Sequence, residues 1–135
     1  MTASWKPPEI GEIVWCHFPE LPETQPGPKP RPALILEIVE YDEEWAVRVI
    51  PGTSKNVESL HRGEAAITKV NATAYALAGL SFDTKFDFKA SIKLPWSNRY
   101  FKVPPRAPYG QTPKMGVLHP ALYHAFAAAF NAAKP

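Results

Sequence analysis

Apolar and polar side chains alternate with a period of two along several short stretches, which is typical of half-buried β-strands. Residues 12–18 (EIVWCHF) alternate imperfectly and predict a first strand, since they are rich in β-branched and aromatic side chains. Residues 33–39 are almost continuously apolar and predict a second strand, and residues 46–50 predict a third. The polar residues 41–44 between the last two predict a hairpin connection.

Further along the chain the pattern predicts shorter elements. Residues 64–67 favour a short strand. Residues 84–88 alternate cleanly, with Phe86 and Phe88 on one face, and residues 91–96 continue the alternation. These last two segments predict two strands or one bent strand.

Two segments have helical character. Residues 71–78 favour one or two helical turns closed by Gly79. Residues 119–130 predict the one long helix, because a proline stands in its first turn and apolar residues recur at spacing four. The members of that apolar stripe are Leu122, Phe126 and Phe130. The stripe is interpreted as core packing.

The number and the distribution of the prolines narrow the fold class. The chain of 135 residues contains 16 of them, roughly double the average share of about 5%. They concentrate in a loop over residues 19–32 and in an arm over residues 100–112, which argues against a helical bundle. With short strands and no βαβ rhythm, the sequence predicts one mainly β domain over residues 1–135, a partly closed barrel with a C-terminal helix.

Charge and cysteine usage narrow the chemistry. The formal net charge of +2 is compatible with a polyanionic partner. A single cysteine, Cys16, excludes a disulfide framework, and its spacing from the four histidines predicts no metal site. Residues 1–9 lack the apolar core of a signal peptide, and no apolar run approaches the roughly 18 residues of a membrane span. A cytoplasmic protein without a membrane partner is therefore expected.

Candidate chemistry gathers at the predicted strand ends. Arg31 stands between Pro30 and Pro32, which restrict the backbone and present the guanidinium at the entrance of the second strand. A guanidinium held in this way suits an anion. The alternative is a solvated charge on a proline-rich loop.

Five short segments resemble, in order, the MazF/PemK-type toxins of bacterial toxin–antitoxin pairs. The segments are residues 11–15 (GEIVW), 31–36 (RPALIL), 52–54 (GTS), 85–88 (KFDF) and 115–118 (MGVL). The resemblance implies an SH3-like barrel that forms a homodimer with an RNA groove at its interface. It also implies sequence-selective cleavage of single-stranded RNA without a metal or other cofactor, and neutralisation by a protein antitoxin whose disordered tail lies in that groove.

The resemblance assigns roles to individual residues. Arg31, Thr53 and Asp87 correspond to the catalytic set, Ser54 to the neighbour of the catalytic hydroxyl, and Lys85 to a basic residue of some members. Metal-free cleavage needs charge stabilisation at phosphorus, which Arg31 can supply. Thr53 and Ser54 can hydrogen-bond a phosphate oxygen or the 2′-hydroxyl, and Asp87 can orient Arg31 or, as a second option, accept a proton.

Other side chains are predicted to bind RNA. Lys55, Lys85 and Arg48 can hold backbone phosphates, and His17 is a candidate RNA contact or proton carrier beside the loop. Aromatic side chains that could stack on bases if they are exposed are Trp15, Phe18 and Trp96.

Each assignment has a structural alternative. Thr53 and Ser54 also suit a turn, Lys85 and Asp87 suit the solvated face of a strand, and His17 suits a strand end.

The chain departs from the family in extra material around residues 56–80 and 104–113, and in Lys55, where a glutamine or glycine is common.

Two other functions remain open. The first is an SH3-like module that binds nucleic acid or protein without cutting, and the second is a peptide-binding adaptor with an aromatic groove. Convergence of Arg31, Thr53 and Asp87 on one pocket would favour the enzyme.

Overall fold

The structure, a computed structural model, describes residues 5–135. Residues 1–4, part of the stretch 1–9 that lacks the apolar core of a signal peptide, lie outside that range. The chain forms seven strands: β1 (Glu12–Cys16), β2 (Arg31–Tyr41), β3 (Glu44–Thr53), β4 (Glu64–Ile67), β5 (Thr84–Asp87), β6 (Ile92–Pro95) and β7 (Lys114–Val117). The α-helices are α1 (Ala72–Ala78) and α2 (Tyr123–Ala133). Single 3₁₀ turns cover Phe88–Ala90 and Pro120–Leu122.

The predicted hairpin is the longest pairing in the sheet. β2 and β3 run antiparallel from the Tyr41–Glu44 pair at the turn to the Ala33–Pro51 pair at the far end. The two turn residues, Asp42 and Glu43, both have positive φ angles. That geometry belongs to the tight two-residue turn whose twist matches the strands.

The strands form one curled antiparallel sheet with the order β4-β5-β3-β2-β1-β7. β6 lies off this path and pairs with the first half of β3, whereas β5 pairs with Gly52 and Thr53 at its end. Because β3 holds a different neighbour at each end, the sheet bends along β3 into a half-barrel. The predicted mainly β, partly closed barrel with a C-terminal helix is confirmed.

Two apolar clusters occupy the two faces of the bend. One contains Phe86, Phe88 and Phe126 and joins β5 to α2, with both ring pairs to Phe126 at 6.0 Å. The other packs side chains of β1, β2, β3 and β6 around Phe101.

The predicted helices are confirmed, with adjusted bounds. Asn71 caps α1 by accepting the amide of Ala74, and Gly79 ends the helix with a φ of 72°. A Cβ on Gly79 would also lie 2.0 Å from the carbonyl oxygen of Met115, so the glycine lets α1 approach β7 closely. In α2, Phe126 is buried as predicted for the core stripe, whereas Phe130 lies at its margin, 38% exposed.

Strand bounds differ from the prediction at the ends that form the site. β3 continues through Pro51 and Gly52 to Thr53, where the sequence suggested a turn. β2 begins at Arg31 itself. The two predicted strands over residues 84–96 are separate, divided by a 3₁₀ turn. β7, for which the sequence pattern predicts no strand, is a sheet strand paired with β1.

Within residues 5–135, no helix has the length and apolarity that a membrane crossing requires.

Candidate functional site

The start of β2 and the end of β3 meet at one edge of the sheet. Their antiparallel register pairs Ala33 with Pro51, so Arg31 and Thr53 stand at corresponding positions two residues further on. Around them lies a pocket of about 400 Å³ that both residues line, together with Ser54 and Lys55. We refer to this cavity as the Arg31 pocket. Four of the predicted site residues are thus brought together.

Arg31 is held on one side by β1, where Cys16 is its register partner. The arginine is half-buried, and its side chain forms no ion pair or hydrogen bond with any residue in the range 5–135. Cys16 is fully buried, and burial raises the pKa of its thiol despite the nearby charge of Arg31. The thiol is therefore unreactive. Because the Arg31 side chain has no partner among the described residues, its N–H donors are available to a ligand.

The pocket collects positive charge and hydroxyl groups. Lys29 and Lys55 join Arg31 as cations, and Ser54 and Ser81 join Thr53 as hydroxyls. No aspartate, glutamate or histidine occurs among the residues that line it. This combination suits a phosphate group, which offers negative charge and several acceptor oxygens.

Thr53 has a defined hydroxyl orientation. Its Oγ1 accepts the backbone amide of Lys55 at 3.2 Å. The hydroxyl hydrogen is therefore free to be donated, and a phosphate oxygen or an RNA hydroxyl could accept it. Lys55 itself is exposed, and its ammonium makes no ion pair with the described residues.

Gly52, which lines the Arg31 pocket, lets β3 lie close to both β2 and β5. A Cβ at this position would lie 2.8 Å from Cγ2 of Thr84, 2.9 Å from Cε2 of Phe86 and 3.0 Å from the carbonyl oxygen of Pro32. Only a residue without a side chain therefore allows β3 to pass between β2 and β5.

Asp87 lies apart from this pocket. It pairs in register with Glu64 on β4, and its Oδ1 accepts the amide of Lys89 at 2.9 Å, which caps the 3₁₀ turn. It is absent from the residues that line the Arg31 pocket. The structure therefore brings together Arg31 and Thr53 but not the third member of the predicted catalytic set.

Lys85 is engaged in the interior. Its Nζ donates to the carbonyl oxygen of Ser59 at 2.9 Å and to Oε1 of Glu64 at 3.0 Å, and its side chain is only 7% exposed. Burial disfavours the charge of Glu64, but hydrogen bonds from the His61 amide and from Lys85 outweigh it and lower the pKa of Glu64. The ammonium thus ties the segment after β3 to the sheet and does not reach the pocket.

His17 anchors the proline-rich loop. Its Nδ1 donates to the carbonyl oxygen of Gly27 at 2.9 Å, since a carbonyl can only accept, and the Gly27 amide donates back to the carbonyl of His17. The hydroxyl of Tyr100 holds the same loop through the carbonyl of Thr24 at 2.8 Å. These bonds set the path of the chain toward Lys29 and Arg31. They match the structural alternative for His17.

Two aromatic side chains reach the pocket. Trp15 is half-buried and lines it, as does Phe82, which is 67% exposed. The other predicted stacking residues, Phe18 and Trp96, are buried in the core. Arg48 does not line the Arg31 pocket, and its Nε lies 3.9 Å from Oε1 of Glu37.

Sequence reasoning missed Lys29, Ser81 and Phe82. Phe82 could have been identified as a large apolar residue in a polar turn, between Ser81 and Asp83, that links α1 to β5. Lys29 could have been identified as a cation that stands two residues before Arg31 in the chain.

Across residues 5–135, no cluster of three or more histidine, cysteine, aspartate or glutamate side chains could hold a metal ion. No family model matches the sequence, and no curated protein matches it. The MazF/PemK resemblance therefore stays a prediction.

Proposed function

We propose that the chain is a metal-independent endoribonuclease that cleaves single-stranded RNA at the Arg31 pocket. The observation that carries the proposal is the meeting of Arg31, which has no partner among the described residues, with the Thr53 hydroxyl in one cationic pocket. The MazF/PemK resemblance supplies the reaction class. On the same basis, the proposal extends to a cytoplasmic homodimeric toxin that an antitoxin protein neutralises.

The proposed reaction uses the RNA as its own nucleophile. The 2′-hydroxyl oxygen bonds to the adjacent phosphorus as it releases its proton to solvent water. The bond from phosphorus to the 5′-oxygen breaks, and that oxygen takes up a proton from solvent water. The products are a 2′,3′-cyclic phosphate and a free 5′-hydroxyl, so no water is consumed in this step.

Arg31 and Thr53 have different parts in this reaction. The planar guanidinium of Arg31 can hold two phosphoryl oxygens, on which negative charge grows in the transition state. The Thr53 hydroxyl can donate to a phosphoryl oxygen or contact the attacking 2′-oxygen. Lys29 and Lys55 add charge for neighbouring phosphates.

A second function, nucleic-acid binding without cleavage, is favoured because Asp87 does not join Arg31 and Thr53, so the convergence that would favour the enzyme is incomplete. The residues that line the pocket include no carboxylate or imidazole, which are the usual proton carriers near neutral pH. A phosphate would bind at such a site whether or not the strand is cut. The two functions therefore differ in product formation and agree in affinity for RNA.

Cleavage of a long single-stranded RNA in EDTA separates them. We compare the wild-type protein with Arg31→Ala, Thr53→Val and Asp87→Asn, and use Arg48→Ala as the matched arginine control outside the pocket. Arg31→Ala should slow cleavage about 10²- to 10³-fold, because it removes one preorganised donor to the transition state. Asp87→Asn and Arg48→Ala should stay within a few-fold of the wild-type rate.

RNA binding without any cleavage by the folded wild-type protein would support the second function. A rate lost equally in Arg31→Ala and Arg48→Ala would place the reaction elsewhere on the protein.

A further inference from the structure

A second pocket adjoins the first. It has a volume of about 540 Å³ and lies between the end of α1 and the arm that carries Arg106 and Tyr109. Trp15, Ser81 and Met115 line both cavities. The two pockets therefore lie side by side, with these three residues in common. We refer to the second cavity as the Tyr109 pocket.

The arm that closes this pocket has a fixed path. On β1, the amide of Trp15 donates to the carbonyl oxygen of Pro113 at 2.9 Å, and the amide of Lys102 donates to the carbonyl of Trp15 at 3.1 Å. Turn hydrogen bonds at Ala107 and Gly110 fold the segment between these two anchors. Prolines 104, 105 and 108 fix the φ angles of that segment. The pocket is thus formed before any ligand arrives, which reduces the entropy lost on binding.

The lining suits a flat, partly polar ligand. Proline rings, Trp15 and Tyr109, which is 46% exposed, offer apolar and aromatic surface. The ammonium of Lys114 lies over the Tyr109 ring, 4.3 Å from its centroid, so the remaining exposed surface of the ring is what a ligand can contact. Arg106 is exposed and makes no ion pair or side-chain hydrogen bond with the described residues, so its charge is available. Ser81, which lines both pockets, adds a hydroxyl. Proteins that bind single-stranded nucleic acid combine such aromatic platforms with cations that follow the backbone.

We propose that the Tyr109 pocket binds a nucleobase of a single-stranded RNA, next to the nucleotide whose phosphate lies at Arg31. This inference rests on the proposed function, because it uses the same strand of RNA. Tyr109 and the prolines contact the base, and Arg106 contacts a neighbouring phosphate. A strand that enters the Arg31 pocket continues past Trp15 into the second cavity.

Binding, measured apart from cleavage, tests the proposal. Short fluorescent single-stranded RNAs with 2′-fluoro riboses lack the attacking hydroxyl and cannot be cut. Their dissociation constants are measured by anisotropy for the wild-type protein, Tyr109→Leu and Arg106→Gln. The matched controls are Tyr123→Leu, an exposed tyrosine that lines neither pocket, and Arg62→Gln, an exposed arginine that lines neither.

A series of RNAs with one abasic position each identifies the contact with the base. In the wild-type protein, one abasic position should weaken binding about 5- to 100-fold, the range of base–aromatic stacking. Tyr109→Leu should weaken binding of the intact RNA by a similar factor and should abolish the penalty at that position. Arg106→Gln should weaken binding and reduce its salt dependence. Both control variants should bind as the wild-type protein does.

The outcomes distinguish the two proposals. RNA affinities of Tyr109→Leu and Arg106→Gln equal to those of the wild-type protein would overturn the base-binding pocket, even if the protein cleaves RNA, and would leave the pocket to another ligand such as a peptide. An abasic pattern that the Tyr109 variant retains would also overturn it. Conversely, the predicted pattern in a protein that binds but never cleaves would support the pocket while the endoribonuclease proposal fails.

Discussion

Replacement of Lys85 by methionine separates a structural role of this residue from a role in RNA binding. Methionine has a similar length and no charge, so the substitution removes the ammonium with little change in volume. The two acceptors of that ammonium, the Ser59 carbonyl and the Glu64 carboxylate, lie at 2.9 and 3.0 Å and lose their donor. Glu64 keeps the amide of His61 at 2.7 Å.

The size of the effect follows from burial. The side chains of Lys85 and Glu64 are 7% and 10% exposed, so the carboxylate that remains is largely shielded from water. Removal of one partner from a buried ion pair typically costs about 3–5 kcal/mol of unfolding free energy. Because Glu64 keeps one hydrogen bond and some contact with solvent, we expect the lower end, about 3 kcal/mol. This is a large share of the roughly 5–15 kcal/mol that stabilises an ordinary domain.

Urea unfolding and RNA affinity, measured on the same samples, provide the assay. Lys85→Met should lose about 3 kcal/mol of stability, and Lys85→Met/Glu64→Gln should recover part of it because no charge is left unpaired. Lys55→Met is the matched control: it should change stability by less than about 0.5 kcal/mol and should weaken RNA binding. The reasoning is refuted if Lys85→Met is as stable as the wild-type protein and loses RNA affinity as Lys55→Met does.

Three further predictions concern the ion pair, the pocket floor and an exposed ring. The pKa of Glu64 is lowered, so its stabilising contribution is present above its ordinary value of 4.5 and is lost as pH falls through the folded-state value. Glu64→Gln should therefore flatten the decline of unfolding free energy below about pH 4.5. Gly52→Ala should cost about 1–3 kcal/mol and slow RNA cleavage, because the new methyl group pushes β3 away from β5 and β2. Phe82→Ala should weaken RNA binding about 5-fold or more with little change in stability, since the ring is exposed.

Each of these has a clear contradiction. If the unfolding free energy falls equally steeply below about pH 4.5 in Glu64→Gln and in the wild-type protein, another carboxylate causes the loss of stability in acid. A Gly52→Ala protein of wild-type stability and activity would show that the strands can separate at no cost. The control for Phe82→Ala is Tyr123→Ala, which removes a similarly exposed ring outside both pockets. Equal RNA affinities of these two variants would remove Phe82 from the binding surface.

Local sequence patterns predicted most of the fold because they depend on short-range physics. The polar residues 41–44 between two apolar strands predicted the hairpin, and residues 64–67 were predicted as a strand with the observed bounds. Strand β7 was missed because residues 114–117 (KMGV) contain a glycine and lack alternation. Gly116 is needed there, since a Cβ would lie 2.2 Å from the carbonyl oxygen of Leu77 in α1. Such a long-range contact has no local signal.

The site residues also divide into those whose placement follows from short-range patterns and those whose placement depends on long-range contacts. Arg31 and Thr53 could be predicted because each stands at a strand end and antiparallel pairing joins those ends. Lys85 and Asp87 lie on an alternating strand whose polar face looked solvated, but Glu64 and the loop that carries Ser59 cover Lys85. That cover comes from residues 21 and 26 positions away in the chain. No periodicity in the sequence of β5 reports it.

A single 2′-deoxy substitution in the RNA tests the central claim most directly. After the cut made by the wild-type protein in EDTA has been mapped, the same RNA is prepared with deoxyribose on the 5′ side of that bond, and the product ends are identified by mass spectrometry. We predict a 2′,3′-cyclic phosphate from the unmodified RNA and no cut at the modified bond. Cleavage at the deoxy position would contradict the proposed reaction, and so would the absence of any cut to map when the unmodified RNA is incubated with the wild-type protein in EDTA.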